Sequence, residues 1–248
     1  MLLKCRDSPV NCLVYNASSM DSAALDRGSL RLAAVLLLAG QVLYIVITLF
    51  HADGNANDHP AVFAEYAASA SWTLVHIGQF AAMAIMTTGL IAFSYVVDPQ
   101  VAVAKWASRF GTALAVASLA LYGVLQAVDG VANKQADLAW VSASPVEKAA
   151  RFASAESIRW IEWGVRSYQD FMLGLALLLF GVAALKTVWL PKPVAWLMLL
   201  TGIVYLVQGW IVGVEGFSDD VHCDRRGRNC RSRMDGLAGR HRTPLRLG

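Results

Sequence analysis

The chain has 248 residues, of which 56% are hydrophobic and 16% are charged, and its formal net charge is +3. Soluble domains usually carry about 25% charged residues, so this composition excludes an ordinary water-soluble domain and indicates a membrane protein whose first partner is the lipid bilayer. The net charge is small and the basic residues lie in tails and loops, so no nucleic-acid partner is expected.

The N-terminal residues 1–29 are mixed and polar, and they show no cleavable signal pattern. Met20 begins a sequence that is typical of a natural start just before a membrane helix. Two interpretations stay open for residues 1–19: an upstream extension of the native start at Met20, or an ordinary polar tail.

Five apolar segments between residues 30 and 217 predict an all-α protein, a polytopic bundle of about five transmembrane helices. The segments are 32–50, 72–97, 110–128, 171–185 and 193–214. About 20 apolar residues cross a bilayer core as a helix. The fourth segment is shorter than that, so it needs the polar residues 168–170 inside the membrane or at its surface.

Residues near the segment ends and the small residues of the fifth segment predict how the helices are anchored and packed. Trp72 and Trp196 are among the aromatic residues expected at the headgroups. Gly209 and Gly213 form a GxxxG pattern, which lets membrane helices approach closely; packing within one chain is the favoured interpretation.

Two further helices are predicted outside these segments. His59 and the proline after it are expected to begin a short amphipathic helix in the first loop. The sequence SPVE at 144–147 is typical of a capped helix start, from which helical sequence runs to residue 190. We interpret it as one long helix, or as two that meet near Gly164, with its first part forming an amphipathic surface helix.

Lysine and arginine in the short loops predict the orientation. The N-terminal flank and the loops at 98–109 and 186–192 carry basic residues, whereas the loop at 51–71 carries none. The positive-inside rule therefore places the N-terminus in the cytoplasm and the 51–71 loop outside. The third loop and the tail at 218–248, with its eight arginines, conflict with this rule. We expect a basic, disordered tail, and a sixth span and a non-native ending both stay open as explanations.

The four cysteines lie outside the apolar segments, in two pairs with six residues between the partners. Zinc sites usually use pairs separated by two to four residues, so neither a cysteine zinc site nor a disulfide framework is expected.

Polar residues recur at helical spacing within the apolar segments, and such residues usually face the interior of a membrane bundle. With the predicted orientation they converge on the outer half of the bundle and predict one polar pocket there. Its candidate residues are His51, His76, Gln79, Gln126, Asp129, Glu162, Arg166, Gln169, Asp170, Gln208 and Glu215.

Three functions of this pocket stay open. It is a structural network, with ion pairs that join Glu162 to Arg166 and Arg159 to Glu162; or it binds a small molecule, a lipid or an ion beneath the first loop; or it is a metal or haem site. The metal candidates are His51, His59 and His76. Three histidines with a carboxylate suit zinc or iron, and a histidine pair suits haem. No sequence motif assigns a catalytic residue or a cofactor.

The pattern H-x-D-G-x2-N-D-H-P at 51–60, followed by VHIGQF at 75–80 and S-x-Q-D-F at 167–171, resembles bacterial multi-pass membrane proteins of unknown function. The resemblance covers about residues 30–217 and implies a bacterial inner-membrane location without an assigned activity.

Overall fold

The computed structural model of the protein describes residues 9–52, 57–97, 101–188 and 190–217, with side chains from Arg27 onward. These residues are helical with short turns, and none of them forms a strand. The predicted tail at 218–248 lies outside the described residues. The helices are α1 (Pro9–Thr48), α2 (His59–Ala68), α3 (Trp72–Ser94), α4 (Ala102–Ala127), a π-helical segment (Val128–Asn133), α5 (Lys134–Val141), α6 (Lys148–Lys186) and α7 (Lys192–Glu215).

Five of the described helical stretches are long and apolar enough to cross a membrane, as the sequence predicts. They are Arg27–Thr48, Trp72–Ser94, Ala102–Val141, Lys148–Lys186 and Lys192–Glu215. The third and fourth, with 40 and 39 residues, are each about 60 Å long at about 1.5 Å per residue. A hydrocarbon core is only about 30 Å thick, so both helices extend well beyond what a bilayer needs.

The long helices pack mainly on their neighbours in the chain: α1 on α3, α3 on α4, α4 on α6, and α6 on α7. The two outermost helices, α1 and α7, have many apolar side chains that face outward, such as Leu38 and Leu197 with exposures of 67% and 64%.

Small residues set the contact between α6 and α7. A Cβ atom on Gly202 would lie 2.8 Å from the carbonyl oxygen of Gly174, and one on Gly209 would lie 2.9 Å from that of Ser167. These distances leave no room for a larger side chain, so the glycines fix the close approach of the two helices. The prediction of packing within one chain for this part of the GxxxG pattern is therefore confirmed.

The helical stretch that contains the third apolar segment continues beyond residue 128, through the π-helical segment and α5 to Val141. Of the two alternatives for the sequence after SPVE, one long helix is confirmed: residues 148–186 form one continuous helix rather than two that meet near Gly164. This helix starts and ends inside its predicted limits, and a turn at 145–147 precedes it. The predicted short helix at His59 is confirmed as α2. Its N-terminus is capped by Asp58, whose carboxylate accepts the Ala61 amide at 3.3 Å.

Helices α2 and α5 and residues 148–158 of α6 together form a small layer at the end of the bundle where α1 ends and α3 begins; we call it the cap. Its core contains Val62, Phe63 and Tyr66 of α2 with Ala155 of α6 and, at the boundary with the bundle, Trp72 of α3. These five side chains are at most 5% exposed. The cap therefore has an apolar core separate from that of the bundle.

Candidate metal centre

His51 lies in the turn that follows α1, directly beneath the cap. Its side chain is partly buried, and its Nδ1 donates a hydrogen bond to the carbonyl of Ala52 at 2.9 Å. Burial lowers the pKa of His51, outweighing the opposite effects of the Ala52 carbonyl and of the nearby Asp129 carboxylate. The ring is therefore neutral near pH 7, and its Nε2 carries the free lone pair.

His76 lies in the second turn of α3 and is 1% exposed. Its Nδ1 donates to the carbonyl of Trp72, one turn earlier, at 2.7 Å. Its Nε2 lies 2.9 Å from Oδ2 of Asp129. The helical backbone thus fixes the ring orientation and directs Nε2 at the carboxylate.

The π-helical segment positions Asp129. A π turn replaces the i→i+4 pattern by i→i+5 bonds and is often found at functional sites. Two carbonyls of this segment accept hydrogen bonds from α3: Asp129 from the Trp72 indole at 2.8 Å and Gly130 from the Thr73 hydroxyl at 2.9 Å. Gly130 also permits the close approach, because a Cβ atom there would lie 2.6 Å from Cβ of His76.

Ligand-type atoms of His51, His76 and Asp129 all lie within 4.8 Å of one another. In both histidines Nδ1 donates to a backbone carbonyl, which is the outer hydrogen bond that metal-binding histidines usually make. The Asn133 side chain holds the third ligand by donating to Oδ1 of Asp129 at 3.3 Å. Two imidazoles and one carboxylate are a donor set suited to zinc and to iron(II).

Haem does not fit this cluster. The two imidazole centroids of His51 and His76 are only 5.3 Å apart, and the Trp72 ring packs against both, at 4.7 Å and 4.4 Å. Oδ2 of Asp129 already occupies the direction in which Nε2 of His76 would ligate iron. No space for a macrocycle remains between the rings.

A second polar group adjoins the cluster. Asn133 also donates to Glu162 at 2.5 Å, and the Arg159 guanidinium donates to both oxygens of Glu162 at 2.9 Å and 2.7 Å. One turn beyond Asn133, Asp137 is 0% exposed, and neither of its carboxylate oxygens has a hydrogen-bond partner among the described residues. Asn133 therefore connects the candidate metal ligands to a buried ion pair.

Helix α2 covers the cluster. The Tyr66 ring lies 3.8 Å from that of Trp72 and 6.1 Å from that of His51, and burial raises the pKa of its hydroxyl. The Lys134 ammonium donates to three carbonyls at the end of α2, those of residues 66, 67 and 69, at 2.6–2.9 Å. At the other end of α2, His59 pairs with Glu156 at 2.9 Å. His59 thus fastens the cap and does not join the cluster.

The remaining predicted pocket residues are distributed over the bundle. Gln79 donates to Thr48 at 3.1 Å and joins α3 to α1, and Gln169 donates to Ser118 at 3.0 Å and joins α6 to α4. Gln126 is partly buried, and its side-chain oxygen has no hydrogen-bond partner within the described ranges.

Gln208 and Glu215, both on α7, are exposed. The backbone carbonyl of Glu215 accepts a hydrogen bond from the Asn57 side chain at 3.3 Å. The side chains of these two residues are not brought to the cluster.

The predicted ion pair of Glu162 with Arg166 is wrong, whereas that of Arg159 with Glu162 is confirmed. Arg166 instead pairs with Asp170, one turn further along α6, at 3.2 Å. Glu162 has both oxygens bound by Arg159, so Glu162 and Asp170 pair with different arginines of α6.

Several residues of the site were outside the predicted pocket. Trp72 was expected to anchor α3 at the headgroups but is 1% exposed, and Tyr66 and Asp137 gave no signal beyond their residue type. Asn133 continues the spacing of Gln126 and Asp129 along one helix face, and this was the one available clue.

Comparisons of the chain with protein-family models, with curated proteins and with solved structures return no match.

Proposed function

We propose that this protein is an integral membrane protein that binds a divalent transition-metal ion between its cap and its bundle. The observation that carries the proposal is the convergence of His51, His76 and Asp129, from three separate segments, to within 4.8 Å. Both imidazoles have Nδ1 occupied by a backbone carbonyl, so each is oriented to ligate through Nε2. Zinc is the ion that we expect, because imidazole and carboxylate are its usual ligands together with thiolate.

We propose that the five long helices lie in a lipid bilayer, and that this bilayer is a bacterial inner membrane. Outward-facing apolar residues on α1 and α7 support a lipid environment. The lysine-free loop before α2 supports a cap on the outer face and a cytoplasmic N-terminus. The metal ion would then lie near the outer boundary of the membrane.

Three protein ligands leave one position of a tetrahedral zinc ion for water or for a substrate oxygen. This is the arrangement of catalytic zinc sites, whereas structural sites use four protein ligands. Asp137, which is buried and whose carboxylate has no hydrogen-bond partner among the described residues, lies two helical turns beyond Asp129 along the chain. The geometry therefore favours a metal centre that receives a small ligand over a purely structural one.

Metal analysis of the purified full-length protein tests this proposal. After incubation with zinc and removal of excess, we expect about one zinc ion per chain in the wild type, measured by elemental mass spectrometry. His76→Ala and Asp129→Asn are expected to lose it, because each removes a ligand.

His59→Ala is the matched control, since His59 is a partly buried histidine of the cap that pairs with Glu156 and is not part of the cluster. It should retain the metal. Equal zinc contents in the wild type and in His76→Ala, or no bound zinc, iron or manganese in the wild type, would contradict the proposal.

A further inference from the structure

The side chain of Asn133 lies between two buried carboxylates. Asn133 is the last residue of the π-helical segment, one turn after Asp129, and it is 1% exposed. Its Nδ2 donates to Oδ1 of Asp129 at 3.3 Å and to Oε2 of Glu162 at 2.5 Å. Because an amide nitrogen carries two N–H groups, both are used, and each carboxylate receives one.

The two carboxylates also fix the orientation of the Asn133 amide. The opposite orientation would direct the side-chain oxygen, which is only an acceptor, at carboxylate oxygens that are acceptors as well. In the observed orientation Oδ1 of Asn133 is buried and has no hydrogen-bond partner in the described part of the chain. A buried acceptor without a partner is unfavourable, and the two charge-assisted bonds from Nδ2 offset this cost.

Glu162 is a fixed anchor for this amide, because Arg159 holds it in turn. The Arg159 guanidinium donates to both oxygens of Glu162 at 2.9 Å and 2.7 Å, and the two residues are each 2% exposed. The rings of Tyr66 and Phe217 lie 5.4 Å and 4.9 Å from the carbon of the guanidinium. The position of Asn133 is therefore set from α6 as well as from its own helix.

The two oxygens of the Asp129 carboxylate consequently have different surroundings. Oδ2 lies 2.9 Å from Nε2 of His76, whereas Oδ1 accepts the hydrogen bond from Asn133. Two ligand atoms of a tetrahedral zinc ion lie about 3.3 Å apart when each bond is about 2.0–2.1 Å long. The observed separation of Oδ2 and Nε2 is close to this value. Together with His51, they would offer a metal ion one carboxylate oxygen and two imidazole nitrogens.

We propose that Asn133 determines which ion the candidate metal centre selects, as a positioning residue that holds Asp129 in monodentate ligation through Oδ2. This inference rests on the proposed metal-binding function. Of the oxygens of Asp129 and Glu162, Oδ2 of Asp129 is the one that neither Asn133 nor Arg159 binds. Zinc suits four ligands that include imidazole nitrogens, whereas manganese and calcium prefer more oxygen ligands, including carboxylates that bind through both oxygens. The arrangement therefore favours zinc over these harder ions.

Metal titration of the full-length protein in detergent tests the proposal. The dissociation constants of zinc and of manganese are measured by competition with a chromophoric chelator, for the wild type and for Asn133→Leu. Leucine has a similar shape and makes neither hydrogen bond. We expect zinc to bind about 10–100-fold more weakly in this variant, because the Asp129 carboxylate is then free to rotate. Manganese should lose less, since Oδ1 becomes available to it, so the preference for zinc should fall by about tenfold.

Gln79→Leu is the matched control for this substitution. Gln79 is a side-chain amide on α3 that is 6% exposed, and it donates to Thr48 of α1 at 3.1 Å rather than to a candidate ligand. Its loss removes a buried amide of the same chemistry, so the preference of this variant for zinc over manganese should equal that of the wild type. A fall in preference as large as in Asn133→Leu would overturn the proposal.

The visible spectrum of bound cobalt(II) provides a measurement that needs no variant. Four-coordinate cobalt absorbs strongly and six-coordinate cobalt weakly, so we expect strong absorption in the wild type and weaker absorption in Asn133→Leu. If Asn133→Leu does not fold, the wild-type spectrum decides. Weak absorption in the wild type, or equal losses of zinc and manganese affinity in the variant, overturns the role of Asn133 and leaves the metal-binding function standing. A wild type that binds no metal ion overturns both.

Discussion

In His51 and His76 the same ring nitrogen, Nδ1, donates to a backbone carbonyl, so the backbone fixes the tautomer of both rings. His76 uses the carbonyl one helical turn earlier, and His51 uses that of the next residue. The Nδ1 atom of His59 faces the carboxylate of Glu156 instead. A metal ion bound at the proposed site would therefore meet two imidazoles whose tautomers are already set, which reduces the cost of organising the site.

Gly130 is the residue on which the approach of the π-helical segment to α3 depends. We expect Gly130→Ala to lower the free energy of unfolding by about 1–3 kcal/mol, because its Cβ would overlap that of His76 at 2.6 Å. Zinc content should fall in parallel. Denaturant unfolding in detergent and elemental analysis measure the two effects.

Gly164→Ala is the matched control for this substitution. A Cβ atom on Gly164 would meet nothing within 4 Å, so alanine there should raise helix stability by roughly 0.5–1 kcal/mol and leave zinc binding unchanged. Similar losses for both variants would show that glycine at 130 has no special role.

The sequence predicts the two histidine positions of the site from their place at the ends of α1 and α3. It does not predict which carboxylate they meet. Asp129, Glu162 and Asp170 all follow the polar spacing of their helices, and only the packing of α3 against the π-helical segment separates Asp129 from the others. The ion-pair partners of Arg159 and Arg166 on α6 are equally undetermined by the sequence, because i,i+3 and i,i+4 spacings both bring side chains together.

At the scale of the elements, the π-helical segment and helix α2 create the site between them. The π turn was not predictable, because the spacing of Gln126, Asp129 and Asn133 fits an α-helix equally well. Helix α2 was predictable from His59 and the proline that follows, although its position over the cluster was not. That position depends on Lys134, which binds the end of α2 from another element.

Lys134→Met is expected to loosen α2. It removes three hydrogen bonds from an ammonium group to the carbonyls at the end of α2, and bonds of this type contribute about 1.5–3 kcal/mol each. Amide hydrogen exchange within residues 59–68 should accelerate by about tenfold or more, while residues 72–94 stay protected.

Lys148→Met provides the comparison, because Lys148 binds the carbonyls of Trp140 and Val141 at the end of α5 in the same manner. Its effect should be confined to α5. If α2 exchanges at the wild-type rate in Lys134→Met, the apolar contacts of the cap alone hold it in place.

At the scale of the whole molecule, the number of long helices and their approximate limits follow from composition and apolar length, and these predictions agree with the structure. The packing of the cap cannot be predicted from composition and apolar length. Its core joins residues from α2, α3, α5 and α6 that are distant in the chain, and no periodicity within one segment indicates such contacts.

Reporter fusions test the proposed orientation. A periplasmically active alkaline phosphatase joined after Asn57 or after Phe217 should be active, and one joined after Val101 should be inactive, because five spans place the first two positions on one side. A cytoplasmic reporter should give the reverse pattern. Activity after Val101 together with inactivity after Asn57 would invert the proposed topology.

Helix α6 connects the two ends of the molecule as a single rod. It contains no proline and no π turn between Ala155 in the cap and Phe180 in the bundle, so it has no joint at which a bend is inexpensive. A sideways push on the cap is consequently converted into a tilt of the whole rod. Because α6 and α7 are in tight contact at Gly174 and Gly202, such a tilt would move α7 together with α6.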